Sequence, residues 1–272
     1  MTEKAADPVI SLRDVAVTYD GRRILDGVNL EITRGEITVL LGGSGSGKST
    51  LLRQIIGLER PNAGRVIVND IDLVRCSPGE LRKFRRSVGV AFQSAALFNS
   101  LSIEDNISLP LREHTRLAES TIRLMVWLKL AVVGLADSGK LNPQALSGGM
   151  KKRAAVARAI ALDPEILVFD EPSAGLDPIV AAELDELIIT LKRAFGMTIV
   201  VVTHDLPSAF RIADRLAMLY QGSLIAVGTK EEFQSSTHPR VRQFLDRVAD
   251  PVAEESRVDD YFQRYLEGDS PK

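Results

Sequence analysis

The stretch ITVLLGGSGSGKSTLLRQIIGL, Ile37 to Leu58, decides the fold. Its first five residues are a short apolar run of the kind that forms a strand buried on both faces. Its last ten, STLLRQIIGL, read as a helix. Between them GGSGSGKS, Gly42 to Ser49, fits the spacing G-x-x-x-x-G-K-[ST] in full. The chemistry needs these residue types. Gly42, Gly43, Ser44, Gly45, Ser46 and Gly47 let backbone N–H groups close around phosphate oxygens, and the helix that follows adds its positive N-terminal end. Lys48 neutralises the β- and γ-phosphates, the Ser49 hydroxyl ligates Mg²⁺, and Thr50 completes the contacting run. A bare glycine-rich turn between strand and helix is the alternative, and it explains neither Lys48 nor Ser49.

Outward from this loop, VISLRDVAVTY and ILDGVNLEI are strand-like runs separated by the turn DGRR, which gives a small antiparallel β region. SVGVAFQ, EILVFDEP and TIVVVTHD are three further buried-strand candidates, and VAAELDELIITLKRAF is one of the helical patterns between them. Strand and helix alternating in this way predict a largely parallel sheet with helices on its faces. From Gln93 to Ser147 strand signals stop, so residues 94–160 are a candidate helical subdomain inserted into an α/β core spanning 1–248. The remaining 249–272 form an acidic extension.

Several function classes are excluded by the totals. Apolar residues make up 45% and charged residues 26%, as in ordinary globular chains. A net charge of −2 lacks the basic excess of a nucleic-acid binder. Cys76 is the single cysteine, so a disulfide framework or Cys-rich metal site is out, and a reducing compartment is expected. The opening MTEKAADP has no apolar core of a signal peptide. LMVWLKLAVVGL, broken by Lys129, falls short of the roughly 20 residues of a membrane span.

A phosphate cradle does not separate hydrolysis from binding; the strand ends do. Asp170 and Glu171 close the apolar run ILVF, on the edge of a parallel sheet where ligands bind. Asp170 there holds Mg²⁺, and Glu171 polarises the attacking water. A solvated acidic turn capping a helix is the blander reading of EPSAGLDP, and the P-loop argues against it. His204 ends TIVVVT in the same way and can donate to the γ-phosphate. Gln93 ends SVGVAF and can reach Mg²⁺ or the water through its amide. Tyr19 either stacks on the adenine or simply packs at a strand end.

These residues together resemble the ATP-binding-cassette family over almost the whole chain, a P-loop NTPase fold of the α/β class with an antiparallel β subdomain and an inserted helical one. By that resemblance Tyr19 is the adenine-stacking residue, Gln93 belongs to the Q-loop, and Asp170 with Glu171 forms the Walker B pair. SAGLD, ending at Asp177, is the D-loop, and His204 is the switch histidine. Ser147, Gly148 and Gly149 match the family signature, which in one subunit caps the γ-phosphate held by the P-loop of the other. The resemblance therefore implies ATP and Mg²⁺ at sites shared across a homodimer, and helix N-terminus chemistry agrees. Met150 departs from the polar residue usual after the two glycines. Lys151, Lys152 and Arg153 either seek phosphate or lie along an exposed helix face.

FQSAALFNSLSIEDNISLPLREHT, LSGGMKKRAAVARAIALDPE and HPRVRQFLD narrow the resemblance to the ATPase subunits of Gram-negative phospholipid-transport systems of the Mla group. That implies a peripheral place on the cytoplasmic face of the inner membrane, with transmembrane permease subunits, an MCE-domain lipid-binding protein and a small STAS-domain subunit as partners. The segment after Gln93 is where such ATPases receive the permease's coupling helix. ATPases for another small solute, soluble ATPases of DNA repair or translation, and a non-hydrolysing module are the rival classes. The second lacks its usual coiled-coil insertions, and Glu171 with His204 argues against the third. In the extension, Val258, Tyr261, Phe262 and Tyr265 fall at helical spacing among seven acidic and three basic residues. This is either a docking stripe for another chain or a disordered acidic tail.

Overall fold

The computed structural model describes residues 7–249 and Leu266. The extension's apolar stripe lies outside the described residues. The chain divides into two compact units, Met1–Ser235 and Ser236–Lys272, so the unit boundary falls upstream of the change in composition.

In the first unit, β1 (Pro8–Tyr19), β2 (Arg22–Thr33), β4 (Ala63–Val68) and β5 (Ile71–Asp72) make an antiparallel sheet in the order β2-β1-β4-β5. A second sheet has the order β10-β9-β3-β8-β7-β6. It is built from β3 (Ile37–Leu41), β6 (Val88–Ala91), β7 (Ile166–Asp170), β8 (Thr198–Val202), β9 (Arg215–Tyr220) and β10 (Ser223–Gly228). Its pairs are parallel except β9 with β10. Every residue of β3 and β8 is buried, as continuous apolar runs demand.

The helix after the P-loop, α1 (Lys48–Ile55), touches β2 and β4 of one sheet and β8 of the other. Its Leu51, Leu52 and Ile55 enter a core with Ile10, Leu12 and Ile32 from the antiparallel sheet and Val168, Val200 and Val202 from the parallel one. Burying each such side chain stabilises the fold by roughly 1.5–3 kcal/mol, so α1 fixes the position of the phosphate cradle.

The helical segment carries α3 (Ile103–His114), α4 (Glu119–Val132) and α5 (Gly148–Ala159), after α2 (Pro78–Arg86). The buried Asn106 on α3 accepts from the Phe98 N–H and donates to the carbonyls of Phe98, Leu101 and Ser102, which pins the chain entering that helix. The remaining helices are α6 (Pro178–Phe195), α7 (Leu206–Ile212) and α8 (Lys230–Gln234). The second unit holds α9 (Pro239–Leu245), which begins after His238. Among the described residues no helix is long and apolar enough to cross a membrane.

Helix α5 presses closely on β6. A Cβ added at Gly89 would lie 2.3 Å from the carbonyl oxygen of Ala159, and a backbone atom cannot swing aside. Gly89→Ala should therefore destabilise the chain by at least about 1–3 kcal/mol, measured as a lower midpoint in urea. An unchanged midpoint would contradict this packing.

Candidate functional site

Parallel pairing carries the chemistry to one edge. Ala91 pairs with Phe169, Asp170 with Val202, and Leu40 with Val202. The segments leaving β3, β6, β7 and β8 therefore emerge side by side, bringing the P-loop, Gln93, Asp170–Glu171 and His204 to one edge.

At the P-loop, Gly42 has φ 150°, and a Cβ there would meet the Leu219 carbonyl at 2.4 Å, so only glycine fits. By contrast a Cβ at Gly43 or Gly45 would meet nothing within 4 Å, which leaves their backbone N–H groups approachable by a ligand. Lys48 is buried, and its Nζ donates to the carbonyls of Gly42 at 2.8 Å and Gly43 at 3.0 Å. Burial pulls its ammonium below the usual lysine range, while the charges of Glu171 and Asp170 act the other way.

Glu171 adopts a left-handed backbone (φ 47°), its N–H donating to the Val202 carbonyl at 2.8 Å. Its carboxylate is held from β8's end: Oε1 lies 2.9 Å from His204 Nδ1, and Oε2 accepts from the Thr203 hydroxyl at 3.3 Å. His204 is open to solvent, with 66% of its side chain exposed against 13% for Glu171. A shielded carboxylate with an exposed histidine on its outer side suits a base facing a bound substrate.

Asp170 and Gln93 line one open cleft with Phe92, Ser94, Ala96, Ala174 and Gly175. Burial first, and then the Glu171 charge, push the Asp170 carboxyl above the usual range; Arg53, Lys48 and Lys152 oppose this. Asp170 Oδ1 is buried without a hydrogen-bond partner, as is Ser46 Oγ. Among the described residues no group of three or more His, Cys, Asp or Glu side chains could cage a metal. An orphaned carboxylate oxygen beside a phosphate cradle, without a full protein cage, fits Mg²⁺, which keeps waters and shares its ligands with phosphates.

The signature residues have work to do inside the chain. Ser147 is the N-cap of α5, its Oγ accepting from Met150 N–H at 3.3 Å. A Cβ at Gly149 would fall 2.5 Å from Val180 on α6, so this glycine also serves helix packing. Asp177 caps α6, Oδ1 accepting from Ile179 and Val180 N–H at 3.0 Å each. Tyr19 is 39% exposed, and its hydroxyl bonds to Glu59, which pairs with Arg53 on α1 at 3.4 Å. Its ring therefore stands by the P-loop helix.

The family profile described as "ABC transporter" matches residues 25–174. The Escherichia coli protein named "Intermembrane phospholipid transport system ATP-binding protein MlaF" is 42% identical over 98% of this chain and 99% of that protein. The chain belongs to the ABC transporter family. A Mycobacterium tuberculosis "probable ribonucleotide transport ATP-binding protein mkl" is 44% identical over 87% of this chain and 66% of its own length. Among solved structures, a dimeric ATP-binding cassette, MJ0796, bound to ADP and Pi superposes with a TM-score of 0.75 at 33% identity, covering 81% of this chain and 98% of that one. A Clostridium perfringens cassette, cbiO1, gives a TM-score of 0.78 at 32% identity over 89% and 97%. The chain is thus an ABC ATPase that binds ATP and couples its hydrolysis to transport.

Within this cassette, reading Lys151, Lys152 and Arg153 as an exposed face needs correction. All three are half-buried. Arg153 pairs with Glu183 on α6, and Lys152 reaches the main chain at Gln93 and Glu171. Thr203, which holds Glu171, escaped the sequence reading too; its place directly before His204 was the available signal.

The raised Asp170 carboxyl has a stability consequence. Because its pKa is higher in the folded chain, the native state binds this proton more tightly than the unfolded one. Its contribution is greatest below the unfolded carboxylate pKa and is lost as pH rises through the folded value, so at neutral pH the charge is a burden. Asp170→Asn should melt higher than the parent at pH 7 without ligand. It should also lose the further rise that Mg²⁺ with ATP gives the parent. An unchanged melting point with the Mg²⁺-dependent rise intact would refute this account.

Proposed function

We propose that this chain is the ATPase of a bacterial transporter moving phospholipids between the inner and outer membranes, which maintains outer-membrane lipid asymmetry. It works as a homodimer bound to permease subunits on the cytoplasmic face of the inner membrane. An MCE-domain protein and a STAS-domain subunit complete the assembly. The observation that supports the cargo is the end-to-end match to the E. coli phospholipid-transport protein, 99% of whose length is covered. The mycobacterial relative is matched over 66% of its length, which makes another solute the second reading.

Hydrolysis follows from the site. The P-loop amides and Lys48, turned from the Gly42 and Gly43 carbonyls, take the phosphates. Ser49, Gln93 and Asp170 would hold Mg²⁺, which would supply charge neutralisation to the phosphates. Tyr19 stacks on adenine. Glu171 orients the attacking water and accepts its proton. With Glu171 ionised, His204 donates from Nδ1. Donation from Nε2 to the γ-phosphate then requires a doubly protonated ring or release of Glu171.

Ser147, Gly148 and Gly149, with Asp177 beside them in the facing subunit, close the second half of each site, and two-fold symmetry completes two sites at once. The Ser147 oxygen already caps its helix, so the hydroxyl hydrogen is what it offers a phosphate.

Glu171→Gln should bind ATP, accumulate as a closed dimer and hydrolyse roughly 10²–10⁴-fold more slowly; near-parental turnover would remove Glu171 from the base role. Ser147→Asp keeps a capping oxygen but sets an anion against the γ-phosphate. It should bind ATP normally in fluorescent-nucleotide titrations and hydrolyse it about tenfold or more slowly, a barrier increase of about 1.4 kcal/mol. Parental turnover in that variant would exclude Ser147 from the shared site. Mass spectrometry of lipids and proteins co-purifying with the native complex tests the cargo and partners, and an absence of phospholipid would favour the second reading.

A further inference from the structure

Lys152 lies on the second turn of α5, five residues after the capping Ser147. Its Nζ donates to the Gln93 carbonyl at 2.6 Å and the Glu171 carbonyl at 3.1 Å. These two residues follow neighbouring parallel strands, β6 and β7. One ammonium therefore bridges three segments with separate tasks: the signature helix, the Q-loop and the residue that bears the catalytic carboxylate.

A lysine on a helix surface is normally solvated, and withdrawing its charge from water is unfavourable unless hydrogen bonds replace the hydration. Here Lys152 lines a small, mostly apolar cavity with Ala91, Phe92, Phe169 and Leu184, and its tip meets main-chain carbonyls rather than carboxylates. Burial pulls the ammonium below the usual lysine range, with Asp170 and Glu171 acting in the opposite sense. Because both acceptors are backbone atoms, side-chain changes at Gln93 or Glu171 leave the tie in place. Only a change at position 152 cuts it.

A second cation on the same helix strengthens the attachment. Arg158 donates to the carbonyls of Ala96 at 2.8 Å and Ala95 at 3.0 Å. Those alanines adopt left-handed backbones, φ 62° at Ala95 and 48° at Ala96, which cost of order 1–3 kcal/mol each for a residue other than glycine. The loop from Gln93 to Ala96 is thus held along the flank of α5 at two points.

We propose that Lys152 is a positioning residue that couples the signature to the same chain's own catalytic centre. A nucleotide engaged by Ser147 from the facing subunit fixes α5, and through Lys152 it sets the backbone at Gln93 and Glu171. The catalytic geometry of each site then depends on engagement at the other through one hydrogen-bonded side chain, and two-fold symmetry makes the dependence the same for both sites. This inference rests on the proposed role of Glu171 and on the shared site at Ser147.

The test compares Lys152→Met, which keeps the apolar stem without donors, with Lys152→Arg, which keeps charge and donors, both in the full chain within its native complex. Steady-state hydrolysis gives kcat and KM, and titration with a fluorescent ATP analogue gives Kd. Lys152→Met should lower kcat about ten- to a hundred-fold, the scale on which small misplacements of catalytic groups act. Its Kd should stay within about twofold of the parent, and Lys152→Arg should recover most of kcat, a pattern that a merely structural lysine would not give. In a double-mutant cycle with Ser147→Asp, the two losses should be strongly non-additive.

Parental kcat in Lys152→Met, parallel losses of kcat and nucleotide affinity, or additive losses in the cycle would each overturn the coupling. If Lys152→Met does not fold, Lys152→Leu, which likewise has no donor, takes its place with the same outcomes deciding. Glu171→Gln assayed alongside separates the two levels. Normal turnover there overturns the reading of the site, whereas a dead Glu171→Gln beside a fully active Lys152→Met overturns the coupling alone.

Discussion

Parallel hydrogen bonding between β3, β8, β7 and β6 is the constraint on which the rest depends. Its register puts Leu40, Val202 and Asp170 abreast, so residues distant in the chain leave the sheet at one level. Antiparallel pairing of any of these strands would send its terminal carboxylate or histidine to the far side. The continuous burial of β3 and β8 makes that arrangement stable, since strands covered on both faces have no solvent face to slip toward.

The charges at this edge balance one another. Lys48 and Lys152 are each lowered by burial and each feel Asp170 and Glu171, while Asp170 is raised by burial and feels both lysines. Neither sign predominates, which lets opposite charges come together in a partly desolvated cleft. A Mg²⁺-bound nucleotide adds charges of both signs to this balance, so its affinity depends on how far the bare carboxylates and ammoniums are already compensated.

Much of this was legible in the sequence because the elements that carry chemistry are also the most buried. ITVLL, ILVF and TIVVV are apolar runs whose following residues could hardly be anything but functional. Strands β4, β5, β9 and β10 went unread: AGRVIV is short and interrupted by glycine and charge, and the unbroken apolar run of RLAMLY is too short to tell a strand from a buried helix segment. Double duty was only half legible. A residue that caps a helix and one that meets a phosphate are the same letter, so the capping reading of EPSAGLDP stood against a ligand role rather than beside it, whereas Ser147 and Asp177 do cap α5 and α6. Gly149 read as room for an anion, but Val180 needs that room as well. Lys152 could not be placed because its partners are main-chain carbonyls 59 and 19 residues away, which no local pattern encodes.

Strand β6 closes one side of its sheet, paired through four residues to β7 alone, whereas β3 is bonded on both flanks. Stiffness therefore grades across the sheet. Displacing the strand before the phosphate cradle would tear two ladders, and displacing the one before Gln93 strains a single short one. The phosphate cradle sits where the scaffold yields least, and the loop that carries Gln93 hangs where it yields most. A push arriving from outside would thus be absorbed at the margin and passed inward through side chains, leaving the cradle itself undeformed.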